Sequence, residues 1–428
     1  MDRVFFYCQH VLGIGHLVRS AEIVRELSRD CRVLFVSGGE KPDGFRFPDN
    51  KNIEVLQLPA LKTDPDFSNL QSCESSRSLD ETKTFRRQLL LQAFAAFQPD
   101  VLVTELFPFG RKQFRFELLP LLEEVRQQSR RTMVVSSVRD VLVTRKDQEE
   151  YEQTVCDVVN TFYDLILVHG DKTFLQLDET FSRVNDLRCP VAYTGYVAQQ
   201  KGSTTVEECY PASAEKRRPV IVASNGGGQY LTGQLLMETV LRAAQVLQSQ
   251  IPHEFHVLAG PLMPEEAYRG LQALVRESAN VRLSRFTPDL AGMLKLADLS
   301  VSMGGYNTIM DVLSSRVRAL VYPVTSNGDQ EQWVRAESLA RAGVIDVIRT
   351  EELTPEALAD KLKQALGKTR TPFTVNGDGA ANSALILKKH LAAHRECSAD
   401  ARESWFGSQE QSARQRQISA SVGTGNFE

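Results

Sequence analysis

The chain has 428 residues, of which 42% are hydrophobic and 24% charged, a composition typical of a globular protein with room for two domains. Its formal net charge of −4 gives no electrostatic case for nucleic-acid binding. The seven cysteines are scattered without a Cys-x-x-Cys pair, which favours reduced thiols in a cytoplasm over a disulfide framework or a zinc site.

The first half alternates short β-branched and aromatic runs with longer helical patterns, which predicts βαβ units and a parallel sheet. Because the first apolar run soon meets His and Gly, we interpret it as a strand and not as a signal peptide. We expect strands at Arg3–Cys8, Arg32–Ser37, Ile53–Leu58, Val101–Thr104, Thr132–Ser136, Leu165–His169 and Val191–Thr194. We expect helices at Leu17–Ser28, Thr82–Phe97, Arg115–Gln128 and Asp147–Tyr163. The polar stretch Lys62–Leu79 is predicted as a surface loop that borders a cleft.

The second half repeats the alternation after residues 198–218, which hold neither period and are predicted as a linker. We expect strands at Pro219–Ala223, Glu254–Ala259, Val281–Ser284, Leu299–Ser302, Ala319–Val321 and Val344–Val347. We expect helices at Tyr230–Leu247, Glu265–Arg276, Leu290–Lys295, Asn307–Ser314, Glu331–Ala342, Thr354–Ala365 and Ala380–Ala393. Residues 396–428 contain few apolar side chains and are predicted to be a disordered tail.

These elements predict an α/β protein with two Rossmann-like parallel-sheet domains that face each other across a cleft. The first domain takes residues 1–197, and the second takes residues 219–395 with the final helix. Ligands of such sheets bind at the carboxyl ends of the strands, which places the site in the cleft. No run is long enough to span a bilayer, although peripheral membrane contact stays compatible with the sequence.

The stretch Leu299–Asp311 predicts a strand, a small-residue turn and a helix. Gly304 and Gly305 would let a phosphate approach the backbone, where the free N–H groups and the positive dipole end of the helix face it. Asp311 lies one turn into the helix, where a carboxylate can hold a ribose hydroxyl. An ordinary strand-to-helix turn would explain two adjacent glycines equally well.

A second glycine turn, Gly-Ile-Gly-His at 13–16, follows the first predicted strand. The His16 imidazole has a pKa near neutrality and can take a proton from a hydroxyl, and the start of the helix should keep it neutral. A capping or packing histidine is the alternative, and His10 is the fallback base. Arg19 lies on the same helix face and contacts either an anionic ligand or solvent.

Glu105 directly follows the predicted strand Val101–Thr104 at its cleft end, where it could orient His16, bind an acceptor or lie in solvent. The aromatic and cationic run that follows, residues 107–116, is either a ligand or membrane-surface patch or, as we favour, the core-facing start of a helix. In the second domain, three glycines at 226–228 follow the first strand and permit close backbone approach to a diphosphate.

Two motifs resemble those of the GT-B glycosyltransferases, most closely the MurG-like branch of family 28. They are Gly-x-Gly-His-x-x-Arg near the start of the chain and Ser-x-Gly-Gly-x-x-Thr, followed by an acidic residue, in the second half. Asp-Gln-Glu-Gln at 329–332 resembles the acidic/Gln motif that this branch carries near the donor sugar. The resemblance implies that the second domain binds a nucleotide-diphosphate sugar and the first domain the acceptor. It implies no cofactor.

The resemblance also implies roles for individual residues. His16 and Glu105 would be catalytic, and Gly13, Gly15 and Arg19 would lie on the acceptor side. The donor would be bound by Asn225, Gly226, Gly227, Phe286, Thr287, Ser302, Gly304, Gly305, Asn307, Thr308, Asp311, Glu331 and Gln332. Of these, Phe286 and Thr287 would lie near the nucleobase, with a core position as the alternative for Phe286.

Three departures from the family pattern bear on the substrates. Asp311 stands where the family usually has Glu, Arg335 stands where it has Asn, and the second Gly-Gly pair before the histidine is absent. A lipid-linked peptidoglycan acceptor is therefore not supported by the sequence. Asp64-Pro65-Asp66 matches the Asp-x-Asp pattern of metal-dependent transferases, but no predicted strand precedes it, so we interpret it as a chance match.

The sequence thus predicts a metal-independent, inverting glycosyltransferase that moves a sugar from a nucleotide-diphosphate donor, a UDP-sugar by preference, to a hydroxyl acceptor. A nucleotide-sugar hydrolase with water as the acceptor is the first alternative, and a non-catalytic nucleotide-sugar-binding protein is the second. The expected partners are the donor and a hydroxyl acceptor of unspecified identity, without nucleic acid. The expected location is the cytoplasm, with peripheral membrane contact left open.

Overall fold

The computed structural model describes residues 1–10, 15–40, 45, 47–63, 69–73, 76–128, 131–143, 145, 147–198, 218–228, 231–276, 278–287, 289–324, 330–368 and 373–396. Several predictions fall outside these residues: Gly13, the Asp64–Asp66 pattern, Asp329, nearly all of the linker, and the tail from residue 397 onward.

Seven parallel strands form the first sheet, in the order β3-β2-β1-β6-β7-β8-β9. They are β1 (Asp2–Cys8), β2 (Cys31–Ser37), β3 (Ile53–Gln57), β6 (Val101–Glu105), β7 (Met133–Arg139), β8 (Leu165–His169) and β9 (Val191–Tyr193). Two short antiparallel strands, β4 (Leu61–Thr63) and β5 (Leu70–Ser72), pair outside this sheet. The predicted surface loop at 62–79 was therefore wrong at its start and in its middle, because strands of three residues are too short to show an alternating pattern.

The second sheet has six parallel strands in the order β12-β11-β10-β13-β14-β15. They are β10 (Val220–Ser224), β11 (Glu254–Leu258), β12 (Val281–Ser284), β13 (Leu299–Met303), β14 (Ala319–Tyr322) and β15 (Asp346–Val347). In both sheets the strand order reverses once, between β1 and β6 and between β10 and β13. Parallel α/β sheets bind ligands beside such a reversal, at the carboxyl ends of the strands.

Helices cover both faces of the two sheets. They are α1 (Gly15–Leu27), α2 (Leu79–Phe97), α3 (Arg115–Gln127), α4 (Gln148–Phe162), α5 (Leu231–Gln248), α6 (Glu265–Val275), α7 (Leu290–Leu296), α8 (Tyr306–Ser315), α9 (Glu331–Arg341), α10 (Pro355–Gly367) and α11 (residues 379–396). Local sequence fixes several starts. Ser78 and Glu81 form a capping box before α2, and Thr354 caps α10, which has Pro355 at its first position.

Apolar side chains fill the space on both faces of each sheet. In β1, Phe5 and Tyr7 enter one core cluster, whereas Val4 and Phe6 enter another on the opposite face. Strands buried on two faces have no polar side, which explains their continuous apolar runs. The aromatic run at 107–116 is part of this packing, because Phe107, Phe109 and Phe114 are 1–3% exposed. The core-facing interpretation of this run is confirmed.

The final helix, α11, packs on the first sheet although it follows the second domain in sequence. Its Ala384, Leu387 and Leu391 join the core cluster that contains Val4 and Phe6. At its end, Arg395 donates to the carboxylates of Asp2 (2.8 Å) and Asp100 (2.9 Å), both of the first domain. The chain thus returns to its starting domain. Within the described residues, no helix is both long enough and apolar enough to cross a membrane.

Candidate active site

The strand reversal of the first sheet brings His16 and Glu105 together. Glu105 is the last residue of β6, and His16 is the second residue of α1, which follows β1. Because β1 and β6 are neighbours, their carboxyl ends meet at one edge of the sheet. His16 Nδ1 lies 2.6 Å from Glu105 Oε1, with side-chain exposures of 15% and 0%. Glu105 is therefore not a solvated loop carboxylate, and its contact with His16 matches the orienting role predicted for it.

The hydrogen bond to Glu105 defines the tautomer of His16. A carboxylate can only accept, so Nδ1–H donates and the lone pair lies on Nε2. Burial lowers the pKa of His16 from 6.5 to about 4; Glu105 opposes this shift, and the Arg111 charge adds to it. The pKa near neutrality expected from the sequence was thus too high. At neutral pH the ring is uncharged and able to accept a proton.

Arg19 binds the same oxygen of Glu105 as His16 does. Its Nη2 donates to Glu105 Oε1 at 2.6 Å, and the arginine is 3% exposed. The guanidinium carbon also lies 5.3 Å from the centre of the Tyr306 ring, in the second domain. The interpretation of Arg19 as a solvated surface residue was wrong. Burial opposes ionisation of Glu105, but His16, Arg19 and Arg111 outweigh it and hold the pKa of this carboxyl well below its usual range.

Two other histidines near the strand ends have structural contacts. His10, the fallback base, is 4% exposed, and its Nε2 lies 2.7 Å from the backbone oxygen of Glu40. His169 is fully buried, with its ring nitrogens 2.7 Å from Ser137 Oγ and 3.0 Å from Thr194 Oγ1. These rings are held in the protein interior, which leaves His16 as the better-placed base.

The strand reversal of the second sheet presents backbone groups. Helix α8 begins at Tyr306 after Gly305, and no side chain caps its first turn. No described atom lies within 4 Å of the position that a Cβ on Gly305 would take. Gly226, at φ +62°, faces the same helix, since a Cβ there would lie 3.6 Å from Thr308 Oγ1. Uncapped N–H groups beside open space form a ready anion site.

Two of the predicted donor residues lie beneath these turns. Ser302 is fully buried inside β13. This strand ends at Met303, one residue further than the sequence predicted. Asn225 is 4% exposed, and its Nδ2 donates to the backbone oxygen of Ala259 at 3.2 Å. Gly226 and Gly227, by contrast, are exposed. The glycine backbone and not the Ser302 hydroxyl therefore forms the open surface.

The predicted nucleobase and ribose residues lie on the outer part of this edge. Phe286 is 65% exposed just after β12, so its interpretation as a core residue was wrong. Next to it, Thr287 Oγ1 accepts the Asp289 N–H at 3.3 Å. Asp311 lines a small crevice between α8 and α1, together with Asn307 and Arg19.

The two glycine motifs meet across the cleft. A Cβ on Gly15 would lie 3.3 Å from Asn307 Nδ2, so α1 and α8 begin close together. The Tyr306 hydroxyl donates to the His169 backbone oxygen at 3.1 Å. The base of the first domain and the anion site of the second are thus parts of one site.

An ion network also crosses the cleft, and the sequence did not predict it. Arg335, 1% exposed, donates to Asp140 through Nε (2.9 Å) and Nη2 (2.8 Å), and to Glu331 Oε1 at 2.9 Å. Arg139 Nη1 lies 2.5 Å from Glu331 Oε2. Arg139 ends β7 and Asp140 follows it, so their position after a predicted strand was the available signal. Beside Glu331, Gln332 Oε1 accepts the Val324 N–H at 3.2 Å.

Residues 227–391 match the glycosyltransferase family 28 C-terminal domain. The matched residues lie within the second domain. A Glaesserella parasuis relative, UDP-N-acetylglucosamine–N-acetylmuramyl-(pentapeptide) pyrophosphoryl-undecaprenol N-acetylglucosamine transferase, is 28% identical to this chain over 151 residues. The match covers 35% of the chain and 40% of the relative.

Solved structures resemble this chain over nearly its whole length. MurG of Acinetobacter baumannii aligns with a TM-score of 0.52 and 14% identity, covering 90% of this chain and 95% of that one. A Listeria monocytogenes structure named for a UDP-N-acetylglucosamine 2-epimerase aligns with a TM-score of 0.62 and 13% identity, covering 92% and 96%. At these identities the structural matches establish the two-domain GT-B fold.

Proposed function

We propose that this protein is an inverting glycosyltransferase that moves a sugar from a nucleoside-diphosphate donor to a hydroxyl acceptor, with His16 as the general base. The observation that carries the proposal is the buried His16–Glu105 pair, whose Nδ1···Oε1 distance is 2.6 Å, beside the uncapped start of α8. A base without an anion site, or an anion site without a base, would support only binding.

The geometry suits a direct displacement. The acceptor hydroxyl gives its proton to His16 Nε2 while its oxygen bonds to the anomeric carbon of the sugar. The bond from that carbon to the diphosphate oxygen breaks on the opposite face, so the configuration inverts. Glu105, which accepts from Nδ1–H, stabilises the imidazolium that forms. The burial that lowers the pKa of His16 also lowers its basicity, and the Glu105 hydrogen bond offsets part of that loss.

The leaving diphosphate would be stabilised by the backbone. The N–H groups of the first turn of α8 and its dipole face the open space beside Gly305, and Gly226 approaches from the other side. This arrangement stabilises negative charge without a metal ion, so we propose metal-independent transfer. Asp311 would hold the ribose, and Glu331 and Gln332 the sugar. A UDP-sugar is the favoured donor because the Glaesserella parasuis relative is named for UDP-N-acetylglucosamine.

A nucleotide-sugar hydrolase is the second candidate, because His16 would activate a water molecule by the same proton transfer. A purely binding role is disfavoured by the oriented tautomer of His16, which binding alone does not need. We propose a cytoplasmic location. The aromatic run at 107–116, which the sequence left open as a membrane patch, is largely buried and gives no support to membrane contact.

A donor screen tests the proposal. UDP-, GDP- and dTDP-sugars are incubated with the protein, with and without hydroxyl acceptors, and free nucleotide is measured. Acceptor-dependent release of UDP, with an inverted anomeric configuration in the product by NMR, is the expected result. Equal release without any acceptor would favour the hydrolase. Loss of turnover in EDTA that magnesium or manganese restores would contradict metal independence.

A further inference from the structure

The loop between β6 and α3 contains two non-glycine residues in the left-handed region, Leu106 at φ +63° and Arg111 at φ +61°. Side chains with a Cβ rarely adopt this conformation, and such residues cluster at ligand-binding and catalytic sites. The conformation at Arg111 accompanies a side chain directed at Glu105, with Nη2 3.8 Å from Glu105 Oε2. The loop after β6 therefore places a cation beside the Glu105 carboxylate that ends this strand.

The Arg111 side chain is buried without adequate partners. It is 9% exposed, and its Nε and Nη2 are buried with no hydrogen bond to any described residue. Arg86 shows how this chain buries an arginine for stability. That side chain is fully buried, but its three nitrogens bond to the Glu117 carboxylate, to Gln9 and to two backbone oxygens. Unpaired buried donors are costly, so Arg111 is not explained by stability alone.

The ion pairs around Arg111 involve more guanidinium groups than carboxylates. The four guanidinium groups of the cluster belong to Arg19, Arg111, Arg139 and Arg335. They share three carboxylates, those of Glu105, Asp140 and Glu331, and His16 is neutral. Arg139 Nε is also buried without a hydrogen-bond partner among the described residues. Glu105, which Arg111 contacts, pairs with Ser137 across β6 and β7, and Arg139 lies two residues after Ser137 on the same strand. The charge of Arg139 also contributes to the lowered pKa of Arg111, after burial.

We propose that Arg111 and Arg139 form an anion-binding subsite beside His16 that recognises a carboxylate or phosphate group on the acceptor. The assignment of the anion to an acceptor rests on the proposed function, but the anion site itself does not. Arg139 ends β7, and Arg111 lies in the loop that follows the neighbouring strand β6. An anion within reach of both would bring the adjoining hydroxyl towards the His16 base, and a guanidinium pair suits oxyanions well.

A separation of the two domains would make the subsite accessible. The bond between Arg139 and Glu331 crosses from the first domain to the second, so separating the domains frees the Arg139 guanidinium on the acceptor side. The same anionic oxygens could come from the diphosphate of the donor. These two sources share one chemistry, and the binding experiment separates them.

The first test needs no turnover. Arg111→Gln removes the charge, Arg111→Lys keeps it, and Arg131→Gln is the matched control, because Arg131 lies near the opposite end of β7 and is 58% exposed. Inorganic phosphate and UDP are titrated separately by calorimetry. We expect phosphate affinity to fall at least about 10-fold in Arg111→Gln, the loss of about one charge-assisted hydrogen bond, and less in Arg111→Lys. UDP affinity should stay within about 2-fold of wild type, and the control should resemble wild type for both ligands.

A fall in UDP affinity with unchanged phosphate affinity would assign the cation to the donor diphosphate and overturn the acceptor subsite. Thermal stability without ligand gives a further readout. Removing an under-partnered buried charge should leave the melting temperature of Arg111→Gln unchanged or raise it. A large decrease, together with unaltered phosphate binding, would make Arg111 a structural partner of Glu105 and overturn the proposal.

The second test uses a matched pair of acceptors, an alkyl glucoside and the corresponding alkyl glucuronide, which differ by one carboxylate. Wild type should show the lower KM for the glucuronide. Arg111→Gln should raise that KM at least about 10-fold while changing the glucoside KM little. Equal KM values for the two acceptors in wild type would overturn the proposal. Absence of transfer to either would count against the glycosyltransferase function, while phosphate binding would still decide the anion site.

Discussion

The two strand reversals contribute different chemical groups to the site. In the first domain, the edge between β1 and β6 carries charged side chains that bond to one another, with Glu105 held by His16 and Arg19. In the second domain, the edge between β10 and β13 carries glycines and the uncapped start of a helix. The first arrangement fixes a proton acceptor in one tautomer, whereas the second offers fixed dipoles to an anion.

This difference determines which function a single substitution can remove. A side-chain base is lost with a single truncation, because the proton acceptor is one atom of one residue. A backbone anion site has no single side chain to remove, so truncations near it should weaken binding only in part. The two edges can therefore be separated by measuring turnover and nucleotide binding on the same variants.

The largest effect is expected for His16→Ala. Turnover should fall about 10²–10⁴-fold, the usual contribution of general-base catalysis. The affinity for nucleoside diphosphate should stay near that of wild type, because the proposed diphosphate contacts lie on the other edge. Single-turnover kinetics and calorimetry on the same preparation check both statements. Parallel loss of turnover and binding would make His16 a ligand contact, and retained turnover would remove it as the base.

Breaking the ion network between the edges should cost stability. Arg335→Ala leaves the Asp140 carboxylate buried and unpaired, and the free energy of unfolding should fall by about 3–5 kcal/mol. Arg242→Ala is the control, because its pair with Glu238 is about half exposed on both sides and should contribute about 0.3–0.5 kcal/mol. Denaturant unfolding measures both. Equal losses in the two variants would contradict a special role for the cross-cleft pair.

A smaller effect is expected at the donor edge. Asp311→Ala should weaken nucleoside diphosphate binding by about 1.5–3 kcal/mol, the range for losing a hydrogen bond to a charged group. Asp360→Ala on α10 is a suitable control, because it removes the same charge from an exposed position of another helix. Calorimetric titration gives the affinities. An unchanged affinity in Asp311→Ala would exclude this carboxylate from the ribose site.

The smallest effect is expected when the pH is lowered from neutrality to mild acid. The neutral form of His16 is the active one, and its pKa lies at about 4 instead of 6.5. The base should therefore stay unprotonated as the pH falls through 6.5, and kcat/KM should decrease only as the pH approaches 4. A pH–rate profile compared with that of His16→Ala tests this. A wild-type limb between about pH 6 and pH 7 that the variant lacks would show that the ring is less desolvated than the structure indicates.

Much of the fold could be predicted because both sheets are parallel and buried. Their strands are continuous apolar runs between glycine-rich or polar turns, and the predicted strand ends at Leu165–His169 and Val281–Ser284 agree with the structure. The small hairpin β4–β5 was missed, since three-residue strands carry no periodic signal. The packing of α11 was also missed, because an amphipathic pattern says that a helix is buried and not which sheet it covers.

The candidate site was predicted unevenly for a similar reason. The glycine motifs and His16 are local patterns that the chain shows directly. The burial of Glu105 and Arg19, the low pKa of His16 and the bonds from Asp140 to Arg335 depend on pairs of residues far apart in sequence. A sequence records the residue at each position, whereas desolvation and ion pairing arise only when the strands and domains come together.

The return of α11 to the first sheet makes the two halves of the chain mutually dependent. A fragment ending before residue 373 would leave the apolar surface around Val4 and Phe6 uncovered, and a fragment beginning at residue 218 would carry an amphipathic helix with no sheet to cover. Each half alone should aggregate, whereas the two expressed together should reassemble through this helix. A chain cut between its domains would thus give two fragments that associate as a heterodimer through α11.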